Sequence, residues 1–272
     1  MARARKALST RKVGHAGTLD PDATGVLVVA CGRATRLMRY IGAGAKTYTA
    51  QVVLGSSTST QDSSGEVTGR WDMTGVTSEQ AAAAAAELTG DIRQIPPMVS
   101  ALKVGGRRLH QLAREGIEVE REARPVTVHR FEVTHGLEPG VLAIEVECSA
   151  GTYVRTLAHD LGARLGGGAH LRDLRRTRVG EFGLDESVSL ERLEDGGSAC
   201  LQPVEEALRG LTVVAVDAGQ ARMVGHGRAL RVELVPGVDG PGPWQLRDPD
   251  GRVLAVYVHG HEGEIKPEVV VG

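Results

Sequence analysis

Apolar and polar positions alternate along the middle of the chain in a way that predicts three strands. The stretch 46–55, K-T-Y-T-A-Q-V-V-L-G, has the β-branched and aromatic composition of a strand. The stretches 124–133 and 142–149 alternate apolar with polar residues, as strands with one buried face do. Because Pro139-Gly140 lies between the last two, we predict that they form a hairpin.

Helical signals are confined to shorter stretches. Thr77 opens an alanine-rich run that predicts a helix ending at Gly90. Residues 1–12 are typical of a short basic helix or tail, and residues 183–210 of helical connectors rich in Glu and Gly. Between these, the polar stretch 56–70 indicates a loop or hairpin.

The C-terminal stretch 211–272 changes to short β-type runs separated by turns such as Asp248-Pro249-Asp250-Gly251. This pattern predicts a small β domain. A chain of 272 residues is long enough for one large domain or two modest ones. No internal repeat of solenoid period is evident.

Charge is unevenly distributed along the chain. The formal net charge of −2 argues against a uniformly basic nucleic-acid binder. Residues 1–46, however, hold nine Lys or Arg against two Asp, a local +7, and residues 103–130 hold seven against four Glu, a local +3. Such local fields suit a phosphate backbone, and a solvated basic face explains them equally well.

The cysteines and the hydropathy of the chain indicate in which cellular compartment the protein is expected. Cys31, Cys148 and Cys200 are odd in number and widely spaced, which fits a reduced cytoplasm and predicts neither a disulfide framework nor a zinc site. No apolar run is long enough to predict a membrane span.

One stretch outside the predicted elements concentrates the chemistry: residues 11–25, R-K-V-G-H-A-G-T-L-D-P-D-A-T-G. Its Asp20 lies between Leu19 and Pro21, and the glycines and proline disfavour helix there. Two interpretations stay open on these residues alone. The stretch is either a glycine-rich turn whose aspartate caps its own backbone, or a rigid loop that presents one carboxylate to a bulky substrate.

Residues 11–27, R-K-V-G-H-A-G-T-L-D-P-x-A-T-G-V-L, closely resemble the active-site motif of the TruB family of tRNA pseudouridine synthases. The match is nearly continuous and therefore more specific than a short glycine pattern. It departs from the family at Asp22, where an apolar residue is usual. Two further family motifs follow: K-x-Y at 46–48 and G-T-Y-x-R-T at 151–156.

The resemblance implies catalytic roles for three residues. Asp20 would be the essential carboxylate and Arg155 its ion-pair partner, through the bidentate pairing that arginine makes with carboxylates. Tyr48 would stack on the uracil base and handle the proton that leaves carbon 5. Since Tyr153 and Arg155 are two apart, we expect them on one side of an extended segment.

The resemblance also implies substrate-binding residues. His15 would fill the gap left by the flipped base, while Tyr48, Tyr153 and Leu174 would line the base pocket. The motif at 166–182 adds a group of arginines that are candidates for phosphate contacts, namely Arg172, Arg175, Arg176 and Arg178.

The implied fold is α/β (α+β), with a mixed, mainly antiparallel sheet of the pseudouridine synthase type. A catalytic domain would span residues 1–210 and carry a basic RNA-gripping insertion at residues 96–124. His110 of the insertion stands where the family commonly has tyrosine. Residues 211–272 resemble a PUA domain, a small RNA-binding β-barrel.

The implied activity is isomerisation of uridine 55 in the T arm of tRNA to pseudouridine, with flipping of the target base. The reaction cleaves a nitrogen–carbon bond and rejoins the sugar to carbon 5 without redox change or net hydrolysis. We therefore expect no cofactor and no metal. The expected partner is the tRNA T stem-loop, the expected state a monomer, and the expected compartment the cytoplasm.

Family members usually carry a strand, a helix and a D-K-P-x-G-x-T-S stretch before the aspartate loop, and this sequence has no counterpart of them. Either the start of the sequence is placed too late or the chain is a truncated form, and we expect it to be less stable and less active than one extended upstream. Its apolar residues around Val26–Val29 would then face solvent.

Two other classes of function remain as alternatives. An RNA-binding or tRNA-folding module with little or no turnover would keep the basic surface and the barrel without a complete site. A carbohydrate hydrolase is disfavoured, because such enzymes need a pair of carboxylic residues and no such pair stands out.

Overall fold

The computed structural model describes residues 1–136 and 138–271. Within these residues the α-helices are α1 (Ala2–Ala7), α2 (Met38–Ala43), α3 (Ser78–Ala86), α4 (Leu109–Arg114), α5 (Val154–Arg164), α6 (Leu190–Gly196) and α7 (Ala218–Gly225). Short 3-10 helices lie at Gly32–Leu37, Gly197–Cys200, Val204–Leu208 and Val232–Leu234.

The strands of the described residues follow in chain order. They are β1 (Val13–His15), β2 (Thr24–Gly25), β3 (Val29–Cys31), β4 (Lys46–Leu54), β5 (Ser56–Thr58), β6 (Val67–Arg70), β7 (Gly90–Gln94), β8 (Lys103–Val104), β9 (Arg107–Arg108), β10 (Arg124–His135), β11 (Val141–Cys148), β12 (Ala169–Val179), β13 (Phe182–Gly183), β14 (Thr212–Ala215), β15 (Leu230–Arg231), β16 (Trp244–Arg247), β17 (Val253–His259) and β18 (Glu264–Val270).

The chain forms two compact units. The central unit comprises residues 19–26 and 44–179, and the terminal unit comprises residues 1–18, 27–43 and 180–271. The aspartate loop therefore belongs to the central unit, although the residues on both sides of it belong to the terminal unit.

The central unit is built on one mixed sheet. Its strands run in the order β12-β4-β11-β10-β7, each antiparallel to its neighbour, and β2 adds to β12 in parallel. This is the mixed, mainly antiparallel sheet that the sequence predicted. Helices α3 and α5 pack on it and share one core, which includes Val52, Val146, Leu157 and Leu161.

The hydrophobic pattern accounts for the central strands. Alternate residues of β4 are buried from Lys46 to Val52, as the period of two requires. The predicted hairpin is confirmed, because β10 pairs antiparallel with β11. The polar stretch 56–70 also forms a hairpin, of β5 with β6.

Helix α3 begins as predicted but ends earlier. Thr77 and Gln80 form a capping box at its start. The helix ends at Ala86 and not at Gly90, because Leu88 and Thr89 donate to carbonyls three residues back and tighten the last turn. Gly90 instead opens β7, with a left-handed φ of 96°.

The insertion at 96–124 has its own small elements. Strands β8 and β9 pair antiparallel, and α4 follows directly. Leu109 and Leu112 of α4 are buried, while the basic residues Lys103, Arg107, Arg108 and Arg114 are exposed. The insertion therefore presents its positive charge to solvent.

The terminal unit contains a five-stranded sheet in the order β14-β16-β17-β18-β15, in which β14 is parallel to β16 and the other pairs are antiparallel. Trp244, Leu246, Tyr257 and Ile265 are fully buried in its core. The short β-type runs of the C-terminal stretch therefore form a sheet with its own core, while a separate domain at residues 211–272 stays a prediction. Residues 183–210 form α6 and two 3-10 helices, as the sequence indicated.

The expectation that Val26–Val29 face solvent is wrong. Val26 is buried and the residues from 27 to 29 are partly buried. Val29 pairs with His15 in the β1–β3 ladder, which gives this apolar run a partner within the terminal unit.

Candidate active site

Asp20 lies in a short loop that is pinned at both ends. The N–H of Ala23 donates to the Asp20 carbonyl at 3.1 Å, and the N–H of Val26 donates to the Arg176 carbonyl at 2.8 Å. Gly25 has φ of 99°, and a Cβ there would lie 2.1 Å from the same carbonyl oxygen. The parallel pairing of β2 with β12 therefore requires glycine at this position.

Arg155 holds the Asp20 carboxylate through two hydrogen bonds. Its Nε donates to Oδ2 at 2.9 Å and its Nη2 donates to Oδ1 at 3.0 Å. The Arg155 side chain is 5% exposed, whereas that of Asp20 is 36% exposed. The pair predicted from sequence is thus formed, with a buried cation fixing a carboxylate that solvent can reach.

Further contacts fix Arg155 itself. Its Nη1 donates to the Thr60 carbonyl and its Nη2 to the Val99 carbonyl, both at 2.9 Å. A second carboxylate, Asp62, lies 3.5 Å from Nε. Such a set of acceptors satisfies most of the guanidinium donors and leaves the side chain few alternative positions.

Asp62 is a contact of Arg155 that the sequence does not predict. Its Oδ1 accepts from the Thr60 and Ser64 hydroxyls and from the Ser64 N–H, in the manner of an Asx turn. The only local signal is this turn chemistry within 56–70, which marks a loop and carries no information about a distant arginine.

The expectation that Tyr153 and Arg155 share one side of an extended segment is wrong. Tyr153 is the last non-helical residue before α5, and Arg155 lies in the first turn of that helix. Side chains two positions apart in a helix point in directions about 200° apart around its axis. The guanidinium therefore reaches Asp20 from the start of a helix, while Tyr153 stays half-buried at the point where the helix begins.

Tyr48 lies on β4 between two ladder partners, Val146 of β11 and Arg176 of β12. Burial raises the pKa of the Tyr48 phenol, the Arg176 charge and hydrogen bond partly offset this rise, and the Asp20 charge adds to it. Tyr48 is therefore a neutral phenol at physiological pH, within the field of the Asp20 carboxylate.

Arg176 cannot contact phosphate, so that sequence prediction is wrong. Its side chain is 1% exposed and its Nε donates to the Val26 carbonyl at 2.8 Å. Arg172 is half-buried and donates to Gln51 and Glu138. Two other arginines of this motif are exposed and stay candidates for phosphate contacts, namely Arg175 and Arg178.

Leu174 lies in an irregular part of β12. The register with β4 shifts between Arg172 and Arg175, and Asp173 has a left-handed φ of 54°. Bulges of this kind redirect side chains at the edges of functional sites. Leu174 is half-buried and packs against the core of the central unit, so it leaves part of an apolar side chain at the surface.

His15 belongs to the terminal unit, where it ends β1 opposite Val29. Its Nδ1 is buried and has no hydrogen-bond partner within the described residues. Its role at the base stays a prediction.

In the described part of the chain, no group of three or more His, Cys, Asp or Glu residues has the arrangement of a metal site. No helix of residues 1–136 or 138–271 has the length and hydropathy needed to cross a bilayer.

Solved structures share this fold. One titled "Structure of H/ACA RNP bound to a substrate RNA containing 2'-deoxyuridine" aligns with a TM-score of 0.76 and 24% identity, covering 100% of this chain and 80% of that chain. Identity at this level establishes the fold alone. This chain therefore shares with that structure a mixed α+β fold.

The family is shown by two family models. Residues 5–154 match the TruB family pseudouridylate synthase N-terminal domain, and residues 155–209 match the tRNA pseudouridylate synthase B C-terminal domain. The chain belongs to the TruB family of pseudouridylate synthases. It is accordingly an enzyme, an isomerase that forms pseudouridine from uridine.

Curated relatives agree over almost the whole chain. A protein of Rhodococcus jostii named tRNA pseudouridine synthase B is 48% identical over an alignment of 260 residues that covers 94% of this chain and 84% of that protein. One of the same name from Mycobacterium ulcerans is 44% identical over an alignment of 279 residues that covers 100% of this chain and 89% of that protein.

Proposed function

We propose that this isomerase acts on tRNA and converts uridine 55 of the T arm to pseudouridine. The main support is the geometry of Asp20. Arg155 holds its carboxylate through two hydrogen bonds, and the carboxylate stays accessible to solvent. The names of the relatives support tRNA as the class of substrate. The nearly continuous aspartate-loop motif supports the T-arm position.

In this proposal Asp20 is the reacting carboxylate. A carboxylate of fixed orientation can attack the sugar or base, or remove a sugar proton, once the target nucleotide has left the stack. Because both Asp20 oxygens already accept a hydrogen bond from Arg155, the carboxylate needs no reorientation when the substrate arrives.

Tyr48 supplies the second part of the reaction. A neutral phenol within the field of the Asp20 carboxylate can stack on the uracil and relay the proton that leaves carbon 5. Leu174 and Tyr153 supply apolar and aromatic surface for the base. His15 occupies the place of the flipped base in the RNA stack.

Binding of the RNA backbone falls to exposed basic residues. The insertion presents Lys103 and Arg114, and the N-terminal stretch 1–46 adds its local positive charge. Residues 1–210 form the catalytic domain and residues 211–272 a PUA-like module that binds RNA. The enzyme works as a monomer in the cytoplasm.

A transcript assay tests the proposal. The chain is incubated with unmodified tRNA and with a matched transcript that carries cytidine at position 55, and pseudouridine is mapped by position and quantified in total. We expect modification at position 55 alone and none in the cytidine transcript. Modification elsewhere would contradict the assigned position, and tRNA binding without any pseudouridine would favour the RNA-binding alternative.

A further inference from the structure

The start of α5 is held from outside the helix. Helices α3, α6 and α7 each begin with a side chain that caps its own backbone, supplied by Thr77, Ser189 and Asp217. At the start of α5 stands Tyr153, and within the described residues no such side-chain cap is present there. The helix that carries Arg155 therefore lacks the usual local signal for its first residue.

Gln94, at the last position of β7, instead holds the backbone of Tyr153, the residue that precedes α5. Its Oε1 accepts from the Tyr153 N–H at 2.9 Å, and its Nε2 donates to the Tyr153 carbonyl at 3.3 Å. The Gln94 side chain is 2% exposed. Its amide thus pairs with both backbone groups of the residue that precedes α5.

The chain segment after Gln94 touches the same helix start a second time. Val99 accepts a hydrogen bond from the Arg155 guanidinium at 2.9 Å through its carbonyl oxygen. Pro96 and Pro97 lie between the two contacts, and their rings fix φ. The segment 94–99 is therefore conformationally restricted. It makes one contact to the Tyr153 backbone and one to the Arg155 guanidinium.

We propose that Gln94 is a positioning residue for the Asp20–Arg155 pair, because it fixes where α5 begins and hence where the guanidinium lies. This proposal rests on the proposed role of that pair. A displacement of the order of 1 Å at a reacting group can lower a rate about 100-fold, so even a small shift of the helix start has a measurable effect.

The chemistry of the contact requires an amide. Tyr153 offers one donor and one acceptor, and a glutamine side chain offers the complementary acceptor and donor. A glutamate carboxylate would accept from the N–H but face the carbonyl without a proton. Only its protonated form would restore both hydrogen bonds.

Two variants and one control test this inference. Gln94→Met keeps the length of the side chain and removes both hydrogen bonds. Gln94→Glu makes the contact dependent on protonation. The control is Gln80→Met, the same substitution at a glutamine whose Oε1 accepts from the Thr77 N–H at the start of α3, a helix that holds no proposed site residue.

Single-turnover rates are measured at saturating tRNA with total pseudouridine as the readout, together with the tRNA Kd. We expect Gln94→Met to lower the rate on the order of 10- to 100-fold with Kd within about 3-fold, and Gln80→Met to keep the parental rate. We expect the Gln94→Glu rate, relative to the parent, to rise as pH falls from about 8 to 5.

A parental rate for Gln94→Met, or a Gln94→Glu ratio that does not change with pH, would overturn the inference. If Gln94→Met does not fold, the pH ratio of Gln94→Glu decides alone. Total pseudouridine keeps the ratios defined if the parent modifies a uridine other than 55. If the parent makes none, the proposed function fails, and crystal structures of parent and Gln94→Glu still decide whether Arg155 shifts from Asp20.

Discussion

Arg155 donates one hydrogen bond to each carboxylate oxygen of Asp20, although 135 positions separate the two residues in the sequence. The arginine is buried and the aspartate is accessible, so the pair presents a fixed carboxylate to whatever enters the site.

Replacing Arg155 by lysine should disable the site while tRNA binding is kept. Lysine keeps the charge but loses the fork that pairs with both Asp20 oxygens and also reaches Thr60 and Val99. We expect a loss of about 100-fold or more in single-turnover rate. A rate within a few-fold of the parent, measured on folded protein, would show that bidentate pairing is not needed.

Replacing Tyr48 by phenylalanine should separate stacking from proton transfer. The ring stays, so tRNA affinity should be unchanged, and the hydroxyl is lost, so the rate should fall by about 10²-fold or more. The measurement is the rate at saturating tRNA beside the tRNA Kd. A larger effect on Kd than on the rate would instead assign the hydroxyl to binding.

The buried thiol of Cys148 should make stability fall at alkaline pH. Burial raises the pKa of Cys148 from 9.0 to about 11. Because the folded state holds the proton more tightly, this contribution is complete below pH 9 and is lost as pH rises towards 11. The free energy of unfolding should fall by about 2–3 kcal/mol over that interval from this group.

Cys148→Ala supplies the comparison for that prediction. It removes the titrating thiol, so its unfolding free energy should decline less steeply between the same pH values in urea titrations. If the unfolding free energy fell equally with pH in parent and variant, Cys148 would not be the titrating group, whatever the absolute stability of the variant.

Salt dependence should reveal the basic surface. If exposed side chains of the insertion meet phosphates, log Kd for tRNA should rise with log salt by about 0.7–0.9 per contact. Lys103→Gln should lower this slope by about 0.7–0.9, the value for one contact. Arg192→Gln, which replaces an exposed residue of α6, should leave the slope unchanged. Equal slopes for parent and Lys103→Gln would remove Lys103 from the interface.

The sequence predicted those features that depend on local patterns. The β10–β11 hairpin follows from alternation and an intervening turn, and the start of α3 follows from the capping pair at Thr77 and Gln80. The Asp20–Arg155 pair is predicted only by the resemblance to the family motifs. The residues next to Asp20 and Arg155 in the sequence give no signal for a contact between them.

Features set by tertiary contacts were missed. The start of α5 is fixed by Gln94, 59 residues from Tyr153, so the local sequence around Tyr153 and Arg155 gives no signal that the helix begins between them. Arg176 stands among exposed arginines, and only its place on β12, between β4 and β2, buries it. Asp62 lies in a polar loop that has no sequence signal for an arginine partner.

In the proposed function Asp20 is the reacting carboxylate, and its removal should abolish the reaction. Asp20→Asn keeps the size of the side chain but removes its charge and nucleophilicity. The direct measurement is the amount of pseudouridine at position 55 of a tRNA transcript, for parent and variant, with tRNA Kd measured in parallel. We expect pseudouridine at that position for the parent, none for Asp20→Asn, and similar Kd values. Turnover by Asp20→Asn at a near-parental rate would contradict it.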